Sequence, residues 1–92
     1  MTETILPSNS YLFVRNDTDL TCCYAYFVFE KIFFDGNSTN MYLSATRIAC
    51  TDPRKRGQIE QRQRYHHIKS GINEYWYDTL EELMKNHFME LL

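Results

Sequence analysis

The chain has 92 residues, 43% of them hydrophobic and 15% aromatic, and a formal net charge of −2. That length supports one domain with a modest core, and that apolar content excludes a disordered chain. No run is long and apolar enough for a membrane span, and the negative balance argues against nucleic acid as a partner.

The net charge hides a segregation. Between Arg47 and Lys69 stand seven basic residues (Arg47, Arg54, Lys55, Arg56, Arg62, Arg64, Lys69) against Asp52 and Glu60, whereas from Ser70 onward five acidic residues face only Lys85. A basic stretch followed by an acidic one reads either as an anion-binding edge or as two solvated surfaces that pair with each other.

In chain order, residues 1–10 are polar with one proline and read as an entry arm rather than a helix. Residues 11–15 (Tyr11-Leu12-Phe13-Val14-Arg15) form an apolar strand that ends in an arginine. Alternation places Arg15 on the face of Tyr11 and Phe13, with Leu12 and Val14 on the other. Such an arginine either lays its stem on the sheet while its head reaches water, or is held rigidly to grip a phosphate or carboxylate through two parallel hydrogen bonds. A polar loop at 16–21 leads to a strand at 23–34, apolar on both faces and therefore central. Asp35-Gly36 is a hairpin signal, followed by a third strand at 41–50. A Pro/Gly-containing turn at 52–57 precedes a polar stretch, 58–69, expected as an exposed edge strand or loop, and a short strand at 75–77.

The last element is a helix over 79–91. Asp78 is the expected N-cap, with Glu81 three residues later as in a capping box. Leu80, Leu83, Met84, His87, Phe88 and Leu91 follow the helical period. His87 falls inside that stripe and reads as a packed histidine at the core edge. One helix can cover one face of the sheet. The other face needs a cover; the arm offers few large apolar residues and segment 51–72 suits an edge strand better, so the chain is expected either to dimerise or to expose an apolar patch beside Arg15.

Catalytic signatures are missing. The chain carries no GxSxG, HExxH, Walker or dinucleotide glycine pattern. His66 and His67 are adjacent, so on an extended chain their rings point apart and cannot share a metal. The three cysteines, Cys22, Cys23 and Cys50, are odd in number and lack CxxC spacing, which suits reduced thiols in the cytoplasm. The triplets beginning at Asn16 and Asn37 match a glycosylation pattern that matters only in a secretory lumen, and no apolar signal core opens the chain. These features point to a binding module, without cofactor or metal, rather than an enzyme.

Three stretches together resemble the phosphotyrosine-binding core of a Src-homology 2 domain. Leu12-Phe13-Val14-Arg15 is similar to that family's Phe-Leu-Val-Arg strand, with Tyr24 opening the next strand. Leu43-Ser44-Ala45-Thr46-Arg47-Ile48 is similar to its third strand, and Tyr77-Asp78-Thr79-Leu80-Glu81-Glu82-Leu83 to the start of its second helix. The resemblance covers roughly residues 10–50 and 75–90 and comes nearest to short forms in bacterial effectors such as those of Legionella.

The resemblance implies an α+β fold: a central antiparallel sheet with a C-terminal helix on one face and the family's first helix absent or replaced. It implies one domain over 1–92, whether alone or within a longer protein, that binds tyrosine-phosphorylated proteins or peptides. Arg15 would grip the phosphate, Arg47 would lie beside the ring and Thr18 would supply a hydroxyl, with Arg62, Arg64 and His66 as accessories. The protein would be a monomer or weak dimer in the cytoplasm, a host's if it is a secreted effector, with no nucleic-acid or membrane partner. The sequence departs from the family at Asp17 and Asp19, whose carboxylates would repel a dianion, and at Ala45, where a histidine is usual. A reading from a different class is a small α+β interaction or inhibitor protein with no phosphate site.

Overall fold

The apolar runs become the strands of one antiparallel sheet, closed on one face by a single helix. The computed structural model describes residues 3–16, 19, 21–34, 37–55, 58, 62–67 and 74–91. Its elements in chain order are β1 (Glu3–Arg15), β2 (Cys23–Phe34), β3 (Asn37–Cys50), β4 (Gln63–His67), β5 (Glu74–Tyr77) and α1 (Leu80–Leu91). The five strands lie in the order β4-β3-β2-β1-β5, every neighbouring pair antiparallel. This is the expected α+β architecture, with β2 at the centre and β4 at an edge. Asp35 and Gly36 lie outside the described residues, but β2 and β3 pair across them from Phe34 to Asn37.

The arm is a strand rather than a polar lead-in. Glu3 pairs with Phe34 and the ladder continues to Pro7 opposite Glu30. The length of β2 explains this, because its far half carries backbone donors and acceptors that require partners. On its other side β1 meets β5 only over Tyr11 to Val14, so residues 3–10 lie beyond that pairing. A proline fits inside the β1–β2 ladder only with its ring nitrogen turned away from β2. Pro7 therefore removes a donor from the outer edge. Nearby, Asn9 adopts a left-handed φ of 47° where the register shifts between Pro7 and Ser10. A proline and a bulge at an edge that no described strand covers discourage pairing with other chains.

The two faces separate cleanly. Toward α1 lie Phe13, Cys23 and Ala25, with Tyr11, Ile48, Ala49 and Tyr77 around them; Leu83, Met84 and Leu91 of the helix complete the cluster. The opposite face carries Leu12, Val28, Leu43 and Ala45, packed by Val14, Tyr26 and Trp76. Among the described residues, the core of this second face is covered rather than left as an exposed patch. Its four core residues are at most 4% exposed, Lys31 lies with its ammonium 4.4 Å over the Trp76 ring, and the chain after β3 reaches across to Arg47. Large hydrophobic residues are exposed on the outer half of β1 (Ile5, Leu6), where Leu6, opposite Lys31, belongs to this second face, on β5 (Tyr75) and on α1 (Leu80, Phe88, Met89).

The helix begins one residue later than expected. Thr79, not Asp78, is the cap: its Oγ1 accepts the Glu82 N–H at 3.2 Å, and its carbonyl accepts from the Leu83 N–H. Thr79 to Glu82 is itself the threonine-x-x-glutamate spacing of a capping box, so the box slides by one position. No described helix is long and apolar enough to cross a membrane.

Candidate functional site

Arg15 ends β1 on the helix side of the sheet, as alternation requires. Its guanidinium lies 5.9 Å from the centre of the Phe13 ring and forms an ion pair through Nη2 with Glu90 Oε1. The other carboxylate oxygen, Glu90 Oε2, lies 2.5 Å from His87 Nδ1. His87 Nε2 is in turn 2.7 Å from the Tyr77 hydroxyl. These contacts fix the tautomer. A carboxylate can only accept, so His87 Nδ1 carries the proton and donates to Glu90, leaving Nε2 to accept from the Tyr77 O–H.

The imidazole is 8% exposed and stacks on Phe13 at 3.8 Å with the planes 5° apart. Burial, reinforced by the Arg15 charge, holds the His87 pKa below its ordinary value. Burial likewise raises the Tyr77 hydroxyl. The packed-histidine reading of the sequence is therefore what the fold displays, with polar neighbours the sequence reading did not pair with it. His87 and Glu90 are spaced i, i+3, neighbours on one helix surface; that spacing was the available signal. A glutamate at the negative end of a helix is unfavourable alone, and Arg15 offsets it.

The phosphate-site residues expected from the sequence are not brought together. Arg47 is 2% exposed and pairs across the strands with Tyr26, which places it on the face away from Arg15. Its Nη2 donates to the Gln58 carbonyl at 3.3 Å. Thr18 and Asp17 lie outside the described residues. Asp19 turns onto Thr21, accepting from its backbone N–H at 3.0 Å and its hydroxyl at 2.6 Å, and those bonds lower its pKa. It is a turn cap, so the sequence reading of Asp19 as a charge facing the phosphate does not match its contacts.

Arg62 sits toward the other end of β2. Its Nε donates to Ser44 Oγ at 2.8 Å, its Nη2 pairs with Glu30 at 3.1 Å, and its guanidinium lies 4.3 Å over Phe29. From Cys23 beside Arg15 to Phe29 beside Arg62 the strand advances roughly 20 Å. Arg64 and His66 stand on β4 opposite Ser44 and Tyr42, three strand spacings or roughly 14 Å across the sheet from β1. Among the described residues no group of three His, Cys, Asp or Glu could hold a metal ion, and all three cysteines are free thiols.

A hollow of about 230 Å³ opens between the β1–β2 loop and the turn after β3, lined by Asp19, Thr21, Cys22, Thr51, Asp52, Pro53 and Arg54. Asp52 organises it. Its Oδ1 accepts the Arg54 backbone N–H at 3.0 Å and Nε at 3.2 Å, and its Oδ2 accepts from the Tyr24 hydroxyl at 3.5 Å. The bonds from Arg54 hold the Asp52 carboxyl below its ordinary pKa. Tyr24 also accepts the Cys22 thiol at 3.2 Å, and this contact, with burial, raises its own pKa.

A carboxyl whose pKa is depressed by folding stabilises the fold above its unfolded value, about 3.9, and that contribution is lost as the pH falls through the folded value. Asp52→Asn is therefore expected to flatten the acid limb of stability. Urea unfolding followed from pH 6 to pH 3 tests this, and parallel curves for the two proteins refute it.

Comparison with protein-family models, with characterised proteins and with solved structures gave no match.

Proposed function

We propose that the chain is a non-catalytic protein-interaction domain whose contact surface is the solvent side of α1. The observation that carries this reading is the exposure there of Leu80, Phe88 and Met89, at 41%, 48% and 80%. Of these, Phe88 and Met89 are neighbours near the end of the helix, and contiguous exposed apolar area is what marks an interaction surface. Glu81 and Glu82 stand in the same helix's first turn, so the partner that fits is a protein with an apolar centre and a basic rim. Such a partner binds more tightly at low salt. The free thiols support a reducing compartment such as the cytoplasm.

Immobilised wild type and a Phe88→Asp/Met89→Asp variant with unchanged circular dichroism test the reading. The wild type is expected to retain a partner that the variant does not, more so as salt is lowered. Equal retention by both, or none by either, overturns it.

Phosphotyrosine capture at Arg15 is the second reading, and one observation favours it. The Arg15 side chain is 25% exposed, and its Nε has no partner among the described residues, so the guanidinium is not saturated by Glu90. On this reading a phosphate dianion takes the place of the Glu90 carboxylate. Arg15→Ala is expected to abolish binding of phosphotyrosine, since losing one partner of a charged hydrogen-bonded pair costs about 2–5 kcal/mol. Arg15→Lys is expected to fail as well, because a point charge lacks the planar fork. Titration calorimetry with phosphotyrosine and phosphoserine at two salt concentrations decides the matter; no heat from the wild type removes the phosphate role.

A further inference from the structure

Helix α1 rests on the sheet through a narrow seam. Its buried residues are Leu83 and His87, with Met84 and Leu91 packed partly against the same cluster. Beyond these apolar contacts, the polar ties of its C-terminal end to the sheet among the described residues are Glu90 to Arg15 and His87 to Tyr77. Glu90 spans the junction, with one oxygen on the sheet's arginine and the other on its own helix's histidine.

We infer that Tyr77, His87, Glu90 and Arg15 form a proton-sensitive clasp that holds the end of α1 on the sheet and opens on acidification. The titratable and charged groups around the imidazole are Arg15 from β1, Tyr75 and Tyr77 from β5, and Glu90 from α1, while Cys23 of β2 lies in the cluster beneath the helix. At neutral pH the set is balanced: Arg15 and Glu90 cancel, and a neutral His87 donates once and accepts once.

A proton taken up at Nε2 changes this in two ways. It removes the acceptor for the Tyr77 O–H, which must rotate away. It also places a second cation near Arg15 with one carboxylate to serve both, in a stack against a fully buried phenyl ring. Charging a buried imidazole in such a place is unfavourable, so the proton binds more readily when the helix end has lifted. The depressed His87 pKa agrees in sign. The clasp holds fully above the unfolded histidine value, about 6.5, and weakens as the pH falls toward the folded value. Opening uncovers Phe13 and Cys23, now 0% and 2% exposed, so acid turns a closed helix seam into an apolar surface.

Hydrogen exchange of the full chain, corrected for intrinsic rates, measures this directly. Protection of the last two turns of α1 is expected to fall severalfold between pH 7.5 and pH 5.5, while β1 to β3 keep theirs. His87→Gln is expected to remove the pH dependence from the helix. Helix protection that does not change with pH, or that falls equally in the variant, overturns the clasp. Should the variant not fold, titration of the wild-type His87 ring by NMR decides: a midpoint below the ordinary histidine value upholds the inference, and one at or above it overturns it.

Discussion

Phe13→Ala is expected to cost about 3–5 kcal/mol, much of the 5–15 kcal/mol that stabilises a typical domain. The ring is completely buried. It lies beneath the His87 imidazole at 3.8 Å, beside Tyr75 at 6.0 Å, and under the Arg15 guanidinium. Alanine would empty the space on which these three neighbours rest. A small protein with one helix on a twisted sheet has little means of collapsing into such a cavity, so the upper part of the range applies. Urea unfolding reports the loss as a lower midpoint, and Phe13→Leu should lose less because it keeps most of the volume. An alanine variant with a midpoint near that of wild type would mean that the stack is peripheral to stability.

Phe13 also shows what the sequence made legible. Its burial, its side of the sheet and its company with Tyr11 and Arg15 all follow from alternation along one short run. The face carrying Leu12 and Val14 was equally readable. The separation of Arg15 from Arg47 was not.

The cause is a single irregularity. Ala25 pairs with Ala49, but its neighbour Tyr26 pairs with Arg47, so β3 spends Ile48 as an extra residue between them. Ile48 and Ala49 both turn toward the helix cluster, and Arg47 passes to the other face. In an unbroken ladder Arg47 would have shared the face of Ala49 and so of Arg15. One inserted residue reverses every side chain beyond it, and nothing in Thr46-Arg47-Ile48-Ala49 announces where it falls. The arm was missed for a related reason. Glu3 to Pro7 has no alternation of its own, and its strand form is imposed by the unfilled edge of β2.

The helix seam offers the last test. Leu83→Ala is expected to cost about 3–5 kcal/mol, and the loss should show as a change in structure as well as in midpoint. Leu83 is completely buried and, with His87, is all that α1 buries fully. A helix of 12 residues is marginal in water without a surface to pack on, so a helix that loses its anchor should melt rather than float free. Fitting the seam with methionine instead keeps the volume, and such exchanges usually cost less than about 1.5 kcal/mol. The two variants therefore diverge. Leu83→Met should retain the far-ultraviolet helix signal and a cooperative transition. Leu83→Ala should lose the helix signal at lower urea than the tertiary signal of Trp76, which sits in the opposite cluster of the sheet. Coincident loss of both signals in the alanine variant would make α1 an inseparable part of one folding unit, and a clasp that opens by itself could not then operate.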